Sequence, residues 1–308
     1  MSVAAASEAT RAGFVAIIGR PNVGKSTLLN ALIGEHVSIT SRRPQTTRNR
    51  VLGVLTRVDH VPPQQFVFVD TPGFQRQHRT LLTRRMNDSV RGTLGEVDAV
   101  VLVIESRGWT AQDAELLALL ARAGERAPKV VLAINKSDLL TDRDRLLPLM
   151  ADSAQRYPFA AIVPVSAEKG RQLDALLAEL GKLLPVGEFL YDVEQYTDRS
   201  VRFLAAEQVR EKAFRLLGDE LPYGIAVTVD AWEEDDHAAR ILMTLLVDRD
   251  SHKGIVIGAG GAKLREIGRL ARIDIEQMLG KPVFLETHVR VRSGWSDDAA
   301  ALRQLGYD

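Results

Sequence analysis

The sequence predicts an α/β fold: a three-layer domain built on a mostly parallel sheet, followed by a small, separate α+β domain. Three observations predict it. Short Val- and Ile-rich runs recur through the first 185 residues, amphipathic segments alternate with them, and the pattern breaks at Leu184-Pro185-Val186-Gly187.

The runs are 14–19, 64–70, 99–105, 129–136 and 161–166, each about the length of a strand. They are nearly continuous rather than alternating, as strands buried on both faces of a parallel sheet read. Residues 51–59 predict a sixth strand, antiparallel at the sheet edge. Segments 111–124 and 171–184 carry Leu at three- and four-residue spacing, the mark of a helix with one apolar face. Repeated strand–helix units imply helices on both faces of the sheet. Met1–Gly13 is Ala- and Ser-rich and predicts a short tail without regular structure.

The first domain is thus expected over residues 12–186, a linker of little periodicity over 187–200, and the second domain over 201–308. The second opens with a helix near 200–220, closed by Leu221-Pro222. Residues 223–232 read as a strand, and 239–248 fit a strand or a helix. A Gly-rich turn leads into a helix over 262–279, and 282–292 alternates as a half-exposed strand.

Composition narrows the function classes. Forty Lys plus Arg balance forty Asp plus Glu, so any surface for nucleic acid or membrane must be local. Cysteine is absent, which excludes disulfide frameworks and thiolate metal sites. No apolar run has the length needed to cross a bilayer, and the N-terminus lacks the apolar core of a secretory signal. The expected location is cytoplasmic.

Gly19-Arg20-Pro21-Asn22-Val23-Gly24-Lys25-Ser26 fits G-x-x-x-x-G-K-[ST] between a predicted strand and a predicted helix, the context that this phosphate-binding loop requires. Backbone N–H groups and the helix N-terminus cradle phosphates, and Lys25 reaches the outer ones. Ser26 is a Mg²⁺ ligand candidate, and Thr27 follows it in the helix. Asn135-Lys136-Ser137-Asp138 ends another strand at the carboxyl edge. A carboxylate there accepts from both N1–H and the exocyclic amine of guanine, a pair that adenine does not offer. Ser166-Ala167 closes the next strand, where a backbone N–H is expected to meet guanine O6.

Asp70-Thr71-Pro72-Gly73 follows the run QQFVFV. Asp70 is expected to hold Mg²⁺ through water, and the Gly73 N–H to meet the γ-phosphate. Residues 38–50 are polar and rich in Ser, Thr and Arg. A threonine here would complete the Mg²⁺ shell when γ-phosphate is present; Thr47 is favoured over Thr46, with both open. Arg42, Arg43, Arg48 and Arg50 read individually as solvated loop residues.

In the second domain, Gly258-Ala259-Gly260-Gly261 stands between the apolar stretch 254–257 and a helix. Such a G-x-x-G turn lets phosphates approach bare backbone and clamps about four nucleotides. Lys253, Lys263, Arg265, Arg269 and Arg272 supply local positive charge, and Ile257 with its neighbours either lines the groove or joins the core. Trp295 either stacks on a base or packs within its own domain.

Taken in order, GRPNVGKST, QTTR, DTPG, NKSD, VSAEKG and the segments 198–223 and 254–295 resemble the translation-factor-related bacterial GTPases. Within them, they look like members that join a P-loop GTPase domain to a C-terminal type II KH domain. The resemblance runs from about Gly13 to Tyr307. It implies a GTP-hydrolysing, Mg²⁺-dependent switch that binds 16S rRNA, near its 3′ end, in assembly of the 30S subunit. Members of that family also associate loosely with the inner membrane, which leaves peripheral contact open; no DNA partner is expected, and nothing in the sequence demands more than a monomer. Members of the family usually carry a basic residue between the outer glycines, where this chain has Ala259 and Gly260.

Lys25, Thr47 and Gly73 are the candidates for γ-phosphate chemistry, by charge neutralisation and positioning. Where signalling GTPases place a water-orienting glutamine after the DxxG element, this chain has Phe74, which predicts slow intrinsic turnover. Asn22 either shapes the loop or, as in related GTPases, marks a K⁺ site beside the phosphates. Two other classes stay in view: a small-molecule kinase, and an RNA-binding adaptor that holds nucleotide without turning it over.

Overall fold

The computed structural model describes residues 9–40, 47–48, 50–73, 81–122, 128–217 and 224–305; Arg42, Arg43, Thr46 and Phe74 lie outside these. The described residues group into two compact units. The first holds those up to Val37, from Arg50 to Gly73, and from Asn87 to Asp198. The second holds Ser38–Thr40, Thr47, Arg48, residues 81–86 and those from Arg199 onward.

The first unit is a six-stranded sheet of β1 (Arg11–Ile18), β2 (Val51–Arg57), β3 (Gln64–Asp70), β4 (Ala99–Glu105), β5 (Lys129–Asn135) and β6 (Ala161–Pro164), in the order β2-β3-β1-β4-β5-β6. Only β2 is antiparallel, paired with β3 at the edge as its sequence predicts. The continuous apolar runs follow from burial on two sides. In β4, Val101 and Val103 join a cluster with Leu28, Leu29 and Leu176, from α1 (Lys25–Ile33) and α5 (Leu173–Gly181). The alternate residues Val100, Leu102 and Ile104 pack instead with Leu116 and Leu120 of α3 (Ala111–Ala121), in a cluster that also takes Leu149 of α4 (Leu146–Arg156). Each such side chain, fully buried, contributes roughly 1.5–3 kcal/mol before entropy is counted.

Two expectations change. β1 begins at Arg11, inside the stretch that composition assigns to a structureless tail. The Arg11 N–H donates to Pro63 O (3.0 Å) and the Ala12 N–H to Pro185 O (3.2 Å), so ladder bonds rather than apolar content define this end. The linker stretch also has partners. The Val54 N–H donates to Tyr196 O (2.9 Å), and the Leu190 and Tyr191 N–H groups donate to Oε1 of the buried Gln65 (2.7 and 3.0 Å). Backbone bonds of this kind leave no hydrophobic period to read, and they cover an edge strand that would otherwise stay open.

The second unit runs helix–strand–strand–helix–helix–strand: α6 (Val201–Leu216), β7 (Ile225–Glu234), β8 (Ala239–Val247), α7 (Asp250–Ile257), α8 (Ala262–Leu279) and β9 (Val283–Val291). Its sheet has the order β7-β8-β9, antiparallel then parallel. The ambiguous run 239–248 is the central strand, and pairing on both sides settles what its side chains leave open. Ile241, Met243 and Leu245 pack with Ala205, Val209 and Ala213 of α6 and with Ile267, Ala271 and Ile275 of α8. That i, i+4, i+8 spacing on α8 is one helix face turned to the sheet. Ser200 caps α6 by accepting from the Phe203 N–H (3.2 Å).

Within this unit Trp295 is fully buried with Leu82, Met86, Ala226, Ala301 and Leu302, and its indole N–H donates to Gly224 O (3.3 Å). It packs; it is not available for base stacking. Trp295→Ala is expected to destabilise the second unit by roughly 3–5 kcal/mol, read as a lower midpoint in thermal unfolding.

Arg48 departs from the solvated-loop reading. It is 4% exposed, with its guanidinium 5.4 Å from the Phe214 ring centre and 5.7 Å from that of Trp295, and it donates to Ile225 O (2.7 Å). Planar delocalised charge suits such a slot between rings. Thr40 is also held in this unit, its N–H and hydroxyl donating to Glu211 Oε1 (2.8 and 3.0 Å). Arg50 keeps an exposed pairing with Glu96 (2.9 Å). No described helix is long and apolar enough to cross a membrane.

Candidate functional site

In the first unit, the loops after β1, β3, β5 and β6 leave the sheet at its carboxyl edge, where ligands bind in such folds. Gly19 to Ser26 turn from β1 into α1. Gly24 has φ 97°, and a Cβ there would lie 2.4 Å from Asn135 Nδ2, so the turn requires glycine on both counts. Lys25 is 6% exposed and donates to Gly19 O and Arg20 O (both 3.1 Å). Burial lowers its ammonium from the ordinary 10.5 to about 8, with the Asp70 charge opposing the shift and Arg20 assisting it. Phosphate charge beside Nζ acts in the sense of Asp70, favouring the protonated form.

Ser26 Oγ donates to Asp70 Oδ2 (2.8 Å), which joins the two predicted Mg²⁺ ligands directly. A hydroxyl beside a fully buried carboxylate is a hard oxygen set that fits Mg²⁺. Thr71 Oγ1 donates to Ile17 O (2.9 Å), and a Cβ on Gly73 would sit 3.0 Å from Pro21 backbone and ring atoms. Asp70–Gly73 therefore lies hard against the phosphate loop, with Pro72 buried. Thr27 occupies the first turn of α1. Thr47 is buried at 8% exposure and groups with the second unit.

The base loop is built by side chains acting on backbone. Asn135 Nδ2 donates to Val23 O (2.8 Å) and Asn135 Oδ1 accepts from the Ala167 N–H (3.0 Å), tying three loops together. Ser166 Oγ donates to Asp138 Oδ1 (2.5 Å), which orients the carboxylate expected to read guanine. The Ser137 N–H donates to Val165 O (3.1 Å). The two amides expected to meet guanine O6 have partners within the protein: the Ala167 N–H donates to Asn135 Oδ1 and the Ser166 N–H to Arg171 O (3.2 Å). Ser166 adds its hydroxyl, on Asp138.

In the second unit, Gly258–Gly261 joins α7 to α8, so the apolar stretch before the turn is helical. Gly258, Gly260 and Gly261 have φ 70°, 55° and 78°, a left-handed path that side chains resist. Ala259 and Gly260 are exposed, with Lys253, Lys263 and Arg265 exposed around them. Val256 and Ile267 are fully buried core residues, while Ile255, Ile257 and Leu264 are partly buried and packed against that core. Arg269 and Arg272 do not add free charge: Glu266 pairs with the first (2.8 Å) and Glu276 with the second (2.9 Å).

Sequence reasoning missed Glu105, which ends the apolar strand β4 directly opposite Asn135. A charged residue closing a fully buried strand at the ligand edge is a signal that was there to read.

A family model described as "50S ribosome-binding GTPase" matches residues 14–136, and a KH domain model matches residues 220–296. The chain is 53% identical over 302 residues to GTPase Era of Bordetella avium, covering 98% of this chain and 99% of the relative. It is 50% identical to GTPase Era of Xanthomonas axonopodis pv. citri, covering 97% of each. Among solved structures it matches Era in complex with MgGDPNP and nucleotides 1506–1542 of 16S ribosomal RNA, with TM-score 0.91, 39% identity, and coverage of 97% of this chain and 99% of that one. A variant of Aquifex aeolicus Era bound to GDP·AlF4⁻ matches with the same score and identity, covering 96% and 99%. The family description names the 50S particle, whereas the solved complex holds 16S ribosomal RNA and matches nearly the whole chain.

Proposed function

The chain belongs to the Era family of GTPases, and from that premise we propose that it is a GTP-hydrolysing switch whose second unit binds the 3′ end of 16S rRNA during assembly of the 30S subunit. The single observation that carries the proposal is the joined Ser26–Asp70 and Ser166–Asp138 pairs: one prepares a Mg²⁺–phosphate site, the other a guanine-reading carboxylate, within one unit. The solved relative with MgGDPNP and 16S rRNA supports both halves of the reading.

In this proposal, Gly19–Thr27 holds the phosphates, Lys25 neutralises their charge, and the Gly73 N–H donates to the γ-phosphate. Asn135, Lys136, Ser137, Asp138, Ser166 and Ala167 form the base pocket. Ser26 and Asp70 would hold Mg²⁺, with Thr47 the threonine that would join them once γ-phosphate is bound, and the ion would supply charge stabilisation to the phosphates. The chain's own residues contribute positioning and charge neutralisation rather than covalent chemistry. Lys253, Ile257, Lys263 and Arg265 flank the Gly258–Gly261 clamp on RNA. The protein is proposed to act as a cytoplasmic monomer.

Multiple-turnover phosphate release tests the reading. Turnover is expected to be slow alone and to rise with 16S rRNA or small subunits. A rate indistinguishable from buffer under both conditions would leave only a nucleotide-holding adaptor. Asn22, exposed at φ 66°, is open to a loop-shaping role or a K⁺ contribution, and faster release in K⁺ than in Na⁺ is the outcome expected of the second. Equal rates would leave Asn22 a loop-shaping role only.

A further inference from the structure

The first unit contains an ionic chain that the nucleotide contacts leave unexplained. Glu105 directs its two carboxylate oxygens at different loops: Oε1 accepts from Lys136 Nζ (2.5 Å), and Oε2 lies 3.2 Å from Arg20 Nη2. Lys136 Nζ also donates to Asn22 O (2.6 Å), which brings the base loop onto the phosphate loop. Arg20 Nε lies 3.4 Å from Oδ2 of the fully buried Asp113. That carboxylate is fixed in turn by the Thr110 N–H (2.9 Å) and hydroxyl (2.6 Å) in the cap of α3.

Backbone strain adds a second, independent observation. Among the described residues, only Asn22 (φ 66°), Lys136 (φ 62°) and Gln172 (φ 60°) are non-glycine residues with positive φ. Two of these three are bonded to each other through Lys136 Nζ and Asn22 O. Residues held in this region persist when their surroundings over-determine them. Glu105 is the group that over-determines both loops: its side chain is 14% exposed, against 18% for Arg20 and 33% for Lys136. Burial pushes its carboxyl upward, but the Lys136 hydrogen bond and the charges of Lys136 and Arg20 outweigh this and hold it below the usual carboxylate range.

We propose that Glu105 is a positioning residue that couples the phosphate-binding loop to the base-binding loop, so that a grip on either end of a guanine nucleotide strengthens the grip on the other. The proposal rests on the guanine-nucleotide reading of this site. Without Glu105, the two loops would bind their parts of the ligand more nearly independently.

The test uses the full chain with Glu105→Ala and the near-isosteric Glu105→Gln, and compares affinities for GDP and GMP by displacement of a fluorescent GDP. The expected result for Glu105→Ala is about tenfold faster GDP release, and a GDP-over-GMP preference reduced by a similar factor, in a nucleotide-free protein that still unfolds in one cooperative transition. Glu105→Gln keeps one acceptor but loses the charge facing both cations, and is expected to shift the same ratio in the same direction by less. A purely structural role would weaken GDP and GMP equally, and that result, or wild-type release rates in both variants, would overturn the proposal. Should the unaltered protein fail to bind GDP, the reading of the site falls instead, and the two failures are told apart.

Discussion

Asp138→Asn is expected to lower affinity for GDP by about 10³- to 10⁴-fold while leaving the fold of the first unit intact. Guanine presents two adjacent donors, N1–H and the exocyclic amine. A carboxylate answers both; a carboxamide answers one and opposes the other with its own N–H. Ser166 Oγ, which donates to Asp138 Oδ1, can donate equally to the Asn oxygen, so the side chain keeps its orientation. The loss is therefore one of pairing, not of structure. Xanthine carries a carbonyl where guanine carries the amine, so the variant is expected to prefer xanthosine diphosphate over GDP. Competition of GDP, xanthosine diphosphate and ADP against a fluorescent nucleotide measures this. An unchanged GDP affinity would remove Asp138 from the base pocket, and failure of the unaltered protein to prefer GDP over ADP would return the kinase class to consideration.

The second large effect is expected at the RNA loop. The double substitution Ala259→Asp and Gly260→Asp is predicted to weaken binding of a 16S rRNA 3′-end fragment by at least about 100-fold, since like charges forced together cost several kcal/mol. The variant is chosen so that the loop still forms. Ala259 is exposed and its φ is not positive. Gly260 has φ 55°, with nothing within 4 Å of an added Cβ, and Asp tolerates that region better than most side chains. GDP affinity and the thermal unfolding midpoint serve as controls. If RNA binds the variant normally, the Gly258–Gly261 turn is a structural corner between α7 and α8 and the RNA site lies elsewhere.

Much of this arrangement was legible in the sequence for identifiable reasons. Strands β3 and β4 were readable to the residue because burial on both faces leaves no choice but a continuous apolar run. Gly24, Lys25, Ser26, Asp70, Asn135 and Asp138 stood out because phosphate, Mg²⁺ and guanine each demand one residue type at one position. What escaped was set by partners distant in the chain. Arg48 looks solvated among polar neighbours, yet Phe214 and Trp295 enclose its guanidinium. The positive charge of Arg269 and Arg272 is visible in the sequence, but that Glu266 and Glu276 neutralise it depends on helix geometry. Residues 239–247 carry a composition compatible with helix, and only pairing with β7 and β9 makes them a strand. Arg11 and Ala12 joined β1 through ladder bonds that composition does not record. Glu105 was in plain view, but its two partners become neighbours only when β1, β4 and β5 lie side by side.

If guanine nucleotide controls RNA binding, the affinity for RNA depends on which nucleotide is bound. The affinity of the full chain for a fragment spanning the 3′ end of 16S rRNA is measured with MgGDPNP and again with MgGDP, at one fixed salt concentration because phosphate contacts are salt-dependent. A switch predicts tighter binding with GDPNP, by a factor of roughly 5 to 150 as coupled sites usually show. Equal affinities in the two nucleotide states would rule out a switch, even if the protein hydrolysed GTP and bound RNA separately.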